Sequence, residues 1–404
     1  MRVVLLNQYY APAEAATAQF VADLAQRLAS EGHRVCVVCS RRSYPDPSRL
    51  YPETEILDGV CVRRTWGTGF GRNGRLGRMI DYLSFMAGAS RVLAVHRDSD
   101  LLVSLTSPPL VATLGLAAAR LQGIPLLCWV MDIYPELAFE LGVLSRRSPA
   151  GRLLSGLAGF TLRRANGVIA LGETMAARLR AAGVPRVSVV HNWADGEAIR
   201  PRPAADHALR HAWGWKDRFV VLYSGNLGLV HDFDTVLGAA ERLRDERRVL
   251  FAFVGDGPRR AYVKREVARR GLRNVEFRPH VARDDLGQSL TAGDVHLVTL
   301  REGLEGLVVP SKIYGILAAG RPTLYVGPHA GEVDAIMREG GCGLRVAVGD
   351  SAALAAGIKG YLHDEKRRGE DGRRARDLFD RRFTKERALE AHLRVLESTL
   401  AGPV

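Results

Sequence analysis

No stretch of this chain is apolar for long enough to cross a bilayer; the longest, residues 110–119, follows a Pro-Pro pair and stops at Arg120. A membrane-spanning helix is not expected. Neither is a signal peptide, since Arg2 is followed by only four apolar residues before Asn7-Gln8, and the expected location is the cytoplasm. Cysteine is sparse: five residues are scattered, and the pair Cys36-x-x-Cys39 falls in an expected strand at 35–39, where residues three apart point to opposite faces. That spacing reads as buried thiols, not as a redox or metal pair. Lysine is nearly as rare, six of the 57 basic residues, so the net charge of +13 is carried by arginine. Such a balance attracts acidic partners. Nucleic acid, an anionic membrane surface and nucleotide phosphates all qualify, but no base-stacking module or recognition motif supports the first.

What is present describes a folded protein with room for two or more domains: 404 residues, 47% apolar and 25% charged. Residues 3–6 read as a first strand. A loop through Tyr9, Pro12 and Ala16 follows, then a helix with Phe20, Leu24, Ala25 and Leu28 at helical spacing, which Gly32 ends before the strand at 35–39. That is a right-handed, parallel strand-helix-strand unit. Further strands are expected at 101–105, 126–131, 168–171 and 187–190. After a composition break at His191-Asn192-Trp193 and a linker at Arg200-Pro201-Arg202-Pro203, the same grammar restarts, with strands at 219–223, 250–254, 275–277, 295–300, 322–326 and 344–348. The simplest interpretation is two doubly wound α/β domains of the Rossmann-like kind, residues 1–197 and 198–384. Ligands of such sheets sit at the carboxyl ends of the strands, so two facing sheets would bind something between them.

The run from Leu307 to Pro322 is the most informative. Pro310 and Ser311 stop an extended segment, and Lys312 opens a helix whose small residues Gly315, Ala318 and Ala319 permit close packing until Gly320 caps it. A Ser and a Lys at a helix start suit an anion such as phosphate, although a solvated surface lysine would look the same. Two more loops of this domain, Ser224-Gly225-Asn226-Leu227-Gly228 and Val254-Gly255-Asp256-Gly257-Pro258, end strands with glycines that let backbone amides approach a diphosphate. Glu332, at a fourth strand end, suits a sugar hydroxyl or the start of a helix. Asp234 reads as a helix start, and Asp98 with Asp100 as a solvated turn, rather than as metal-binding pairs.

These residues carry a resemblance. Gly225-Asn226-Leu227-Gly228, Phe253-Val254-Gly255-Asp256-Gly257-Pro258, Asn274-Val275-Glu276-Phe277, Ala292-Gly293-Asp294-Val295 and Leu317-Ala318-Ala319-Gly320-Arg321-Pro322 resemble the C-terminal domain of family-4 retaining glycosyltransferases of the GT-B fold. Leu5-Leu6-Asn7-Gln8-Tyr9-Tyr10-Ala11-Pro12, Glu31-Gly32-His33 and His191-Asn192-Trp193 resemble pieces of their first domain, in the same order over nearly the whole chain. Asp132-Ile133-Tyr134-Pro135-Glu136 and Pro310-Ser311-Lys312 are similar to a subgroup that builds bacterial surface polysaccharides and includes N-acetylfucosamine transferases. The resemblance implies transfer of a sugar from a nucleotide-sugar, a UDP-sugar first and an N-acetylated one among these. The acceptor would be a sugar or lipid-linked sugar, with configuration retained and neither metal nor other cofactor needed. It implies donor contacts at Gly225, Asn226, Gly228, His231, Gly255, Gly257, Pro310, Ser311, Lys312 and Glu332. Acceptor contacts fall on Glu14, Thr17 and Asp132, and catalytic roles on Asp132, Glu136 and Lys312. Residues 385–404 would cross back to the first domain.

The chain departs from that family at charged positions. The family's two glutamates fall on Leu307 and Gly315, with Glu302 and Glu305 nearby. Its diphosphate-binding Arg and Lys fall on Asn226 and His231, which leaves Lys312, with Arg301, as counter-charge. Its first-domain His falls on Met131, and its Gly-Gly loop near Ala15-Ala16-Thr17, beside Glu14. Two other classes stay open: a sugar-nucleotide 2-epimerase on the same fold, which needs no acceptor, and a non-catalytic nucleotide-sugar-binding relative. Lastly, Arg63, Arg64, Trp66, Phe70, Arg72, Arg75 and Arg78 interleave basic and aromatic residues ahead of Leu76, Met79, Ile80, Leu83 and Met86 at helical spacing. Residues 63–86 suit peripheral contact with a membrane and a lipid-linked acceptor, or else a core-facing helix.

Overall fold

The computed structural model of the protein describes residues 1–13, 15–43, 46, 48–70, 74–202 and 207–402, with the backbone alone at Ala16 and Arg75. Glu14, Arg72 and Pro203 lie outside the described residues. The first strands are β1 (Arg2–Leu6), β2 (Arg34–Ser40), β3 (Thr54–Leu57), β4 (Val60–Thr65), β5 (Leu101–Leu105), β6 (Leu126–Trp129), β7 (Gly167–Ala170) and β8 (Val187–Val189). After them come β9 (Phe219–Ser224), β10 (Val249–Val254), β11 (Val275–Arg278), β12 (Val295–Thr299), β13 (Thr323–Val326) and β14 (Gly343–Val346). They form an eight-stranded sheet, order β3-β4-β2-β1-β5-β6-β7-β8, and a six-stranded sheet, order β11-β10-β9-β12-β13-β14. The chain divides into two compact units, Met1–His191 with Leu389–Val404, and Asn192–Ala388.

Strand β9 shows why these runs become parallel sheet. Phe219, Val221 and Tyr223 enter one hydrophobic cluster with Phe233, Val236 and Leu237, while Val220 and Leu222 enter another with Leu250 and Val254. A strand buried on both faces needs helices on both sides, the arrangement of a doubly wound sheet, and each fully buried Val, Leu or Phe contributes about 1.5–3 kcal/mol. The helix Ala16–Ser30 follows the same logic, burying Val21, Leu24, Ala25 and Leu28. It stops where Gly32 takes φ +82°, and His33 N–H closes on the Leu28 carbonyl at 3.0 Å.

The sequence reading missed β3 and β4. They form the one antiparallel pair of the first sheet, at its edge. Half-exposed strands carrying Glu55, Arg63 and Arg64 have no continuous apolar run to find. Arg64 is buried there in an ion pair with Glu55, and its Nη2 donates to the Ala11 carbonyl at 2.8 Å. It is therefore a structural residue and not part of a surface basic stretch. Asp98 and Asp100 both pair with Arg2, tying the start of β1 to the turn before β5. Asp234 is the first residue of the helix Asp234–Arg242, as expected, and Asp232 accepts a bond from Thr235 N–H at 3.1 Å. No helix among the described residues is long and apolar enough to cross a membrane.

Candidate functional site

In the second unit the chain leaves β9 for β10 on one side and returns to β12 on the other. Loops after β9 and β12 therefore diverge, which is where an open parallel sheet has a crevice. The loop after β9 is fastened on both flanks. Toward β10, Gly225 N–H donates to Val254 O (2.9 Å), Leu227 N–H to Asp256 O (2.8 Å) and Arg259 N–H to Leu227 O (2.9 Å). Toward β12, the His231 Nδ1–H donates to Thr299 O at 2.6 Å and Arg301 N–H to Val230 O at 2.9 Å.

The glycines are required by this closeness. A Cβ at Gly255 (φ +133°) would lie 2.3 Å from the Gly225 carbonyl oxygen, and one at Gly257 (φ +150°) 2.4 Å from Asn226 Oδ1. The N–H groups of Gly225 and Gly255 donate to Val254 O and Arg278 O and join neighbouring strand ends, while that of Gly257 turns back to Asp256 Oδ1. Among the described residues the Gly228 amide has no hydrogen-bond partner.

Lys312 opens the short helix Lys312–Ala318 behind Pro310 and Ser311; the Ser311 side chain makes no capping bond. It is not a solvated surface residue. Its Nζ is buried without a hydrogen-bond partner, 3.4 Å from the centroid of the Tyr223 ring, and its Cε lies 3.9 Å from where a Cβ would stand on Gly225. Burial holds the amine well below the usual lysine range. Tyr223 is locked by its hydroxyl, which donates to Asn226 O at 2.8 Å, and by edge contacts with His231 and Phe233. Burial, with Lys312 beside it, pushes His231 down to about 3. Its Nδ1–H faces a carbonyl, so Nε2 is left as an acceptor. Tyr223 and Thr299 were missed from the sequence because each reads as an ordinary residue near the end of a strand.

Glu332 begins the helix Glu332–Gly340 and is buried, close enough that its charge helps raise the Tyr314 phenol. Glu305 stands by the same corner, its Cβ 3.8 Å from the Cβ position of Gly331. Leu307 is buried and Gly315 packs against Leu290.

In the first unit the strand order reverses between β1 and β5. Gln8 N–H donates to Ser107 O at 2.9 Å, and Thr106 Oγ1 accepts from the amides of Met131 (3.1 Å) and Asp132 (3.4 Å), so the loops after β1, β5 and β6 are joined. Asp132 lines a cavity of ≈ 30 Å³ with Thr106, Leu110, Thr113, Tyr134 and Thr161. That is room for about one water. Burial pushes the Asp132 carboxyl up to about 6. Glu136 starts the helix Glu136–Glu140, and Thr17 is the second residue of Ala16–Ser30. No contact joins either of them to Asp132. The helix Arg75–Val95 buries Phe85, Ala89 and Leu93 but leaves Leu76, Met79, Ile80 and Leu83 between 44% and 71% exposed, near Trp66 and Phe70 in the chain, which are also exposed. Its first half is not core-facing.

Residues 16–193 match the family model described as glycosyl transferase 4-like domain, and residues 218–364 the one described as glycosyl transferases group 1. The chain is 31% identical over 261 residues to a probable glycosyltransferase, WbjE, of Pseudomonas aeruginosa, a match spanning 64% of this chain and 65% of that protein. It is 27% identical over 335 residues to a putative colanic acid biosynthesis glycosyl transferase, WcaI, of Escherichia coli K12, spanning 79% and 82%. Among solved structures it is similar to HepE of Anabaena in complex with UDP (TM-score 0.75, 19% identity, 98% of this chain and 100% of that one). The glycosyltransferase WaaG gives a TM-score of 0.72 at 16% identity, covering 96% and 98%. At such identities the likeness establishes the fold, which is GT-B.

Proposed function

From a chain that carries the 4-like and group 1 domains in tandem, and so belongs to the glycosyltransferases, we propose a transfer reaction with a UDP-sugar as donor and an acceptor hydroxyl as nucleophile. Anomeric configuration is retained, and the product belongs to a cell-surface polysaccharide or glycolipid. The observation that carries this reading is Lys312, whose Nζ is buried on the face of the Tyr223 ring, at the end of β9, with no hydrogen-bond partner among the described residues. Supporting it, HepE is described in complex with UDP and with UDP-glucose, and WcaI is named for colanic acid biosynthesis. Lys312 meets the departing diphosphate, so the charge that a divalent metal would otherwise supply is assigned to the chain. Calorimetry with UDP, GDP, ADP and dTDP tests the donor: UDP is expected to bind in clear preference. Failure of all four to bind would leave the fold intact and remove the nucleotide-sugar reading.

Asp132 is assigned to the acceptor hydroxyl, whose proton it accepts. A carboxyl at about 6 is ionised at neutral pH and takes up its proton as the pH falls through that value. Activity therefore falls on the acid side. The expected kcat/KM profile has an acid limb near pH 6, absent from Asp132→Asn, which also loses about 10²–10⁴-fold. An unchanged limb in the variant would refute the role.

The outward residues of Arg75–Val95, with Trp66, Phe70 and Arg78, are assigned to contact with an anionic membrane surface, where a lipid-linked acceptor resides. The protein is expected to float with anionic vesicles, and a variant with Leu76→Ser, Met79→Ser and Leu83→Ser to remain behind. No flotation by the intact protein would dismiss the assignment.

A further inference from the structure

We propose that the Lys312 amine of the second unit is neutral until a donor arrives, and that binding of the diphosphate draws one proton from solvent onto it. The inference rests on the donor reading above and adds what that reading leaves open, the protonation state of its counter-charge. Among the described residues, none forms a hydrogen bond or ion pair with Nζ. It lies over the face of the Tyr223 ring, 3.4 Å from the centroid. A ring face attracts a cation, but less than burying that cation costs. The neutral amine is the form that fits.

The groups around it offer no charge of their own. From β9 comes Tyr223, whose phenol is raised by burial and whose hydroxyl is spent on Asn226 O. From the loop after β9 comes His231, held at about 3, its Nδ1–H fixed on Thr299 O. From β12 comes His296, held at about 4 by burial and bonded through Nε2 to Leu290 O. Neither imidazole takes a proton near neutral pH. Lys312 is the one among these groups whose state an arriving anion can reverse, because two negative phosphates beside Nζ favour the ammonium. A proton then passes from buffer to Nζ, and the ion pair forms inside the pocket.

Binding linked to proton uptake has a measurable signature. UDP-glucose is the probe, since its diphosphate has no proton to gain or lose near neutral pH. Titrated at one pH into the intact protein in buffers of different ionisation enthalpy, it is expected to give heats that vary with the buffer and report uptake of about one proton. Its Kd should rise by about tenfold per pH unit across the range where the free amine is neutral and the bound one charged. Lys312→Met is expected to bind more weakly with buffer-independent heats. Lys312→Arg, whose guanidinium keeps its proton, is expected to bind with no uptake. Equal heats in all buffers for the intact protein would overturn the inference while leaving the donor reading in place. Uptake that persists in Lys312→Met would overturn it by placing the proton elsewhere. No binding of UDP-glucose would overturn the donor reading and this inference with it. Should Lys312→Met fold poorly, the buffer series on the intact protein decides alone.

Discussion

Lys312→Ala is expected to lower kcat/KM by about 10²–10³-fold, the cost of removing one well-placed stabiliser of developing charge. The loss should fall on kcat as well as on KM, because negative charge on the departing diphosphate grows toward the transition state. No neighbour stands ready to replace it. Arg301 is exposed and its Nη1 already reaches the Leu229 carbonyl at 3.4 Å, while His231 and His296 are neutral where the enzyme works. Initial rates with saturating donor, alongside a thermal melt to establish that the variant is folded, make the measurement. Unchanged turnover in a folded Lys312→Ala would sink the central assignment of the site.

Asp294→Ala should cost more in stability than any change at the site. The Asp294 carboxylate pairs with Arg210 Nη1 at 3.1 Å and accepts the Val220 N–H at 2.7 Å, in a place where both side chains are nearly inaccessible. Arg210 Nη1 also donates to the Ala292 carbonyl, and Nη2 donates to those of Trp215 and Arg218. Removing the acid leaves a buried cation uncompensated and the Val220 amide without its acceptor, a loss of about 3–5 kcal/mol and of roughly 10 °C in the Tm of a domain this size. Asp294→Asn keeps an acceptor for Val220 and should fall between. Differential scanning calorimetry resolves the unit concerned; a shift below about 2 °C in Asp294→Ala would show that the pair contributes little.

Most strands were legible because parallel sheet buries both faces: runs such as Val249–Val254 are apolar throughout and bounded by turns. The antiparallel edge pair was not, since Thr54–Leu57 and Val60–Thr65 hold only two or three apolar residues in a row beside charged and polar ones, too short a run to stand out. Lys312 was legible as an anomaly, a rare lysine amid uncharged neighbours. Its surroundings were not, because the ring it lies on comes from a strand about ninety positions earlier, and only the sheet order brings β9 beside β12. The glycines at 225, 255 and 257 were found for the freedom they give the backbone. Sequence shows that a loop lacks side chains, but not whether the resulting closeness serves a ligand or another loop.

Leu307 and Gly315, where the sequence resemblance implies glutamates, are both interior positions: Leu307 is 1% exposed, and a Cβ on Gly315 would meet Leu290 Cδ1 at 3.0 Å. A glutamate introduced at either would be a carboxylate without a partner in apolar surroundings. Installing an acidic pair at 307 and 315 therefore takes more than two substitutions: the packing around Leu290 has to be rebuilt with it.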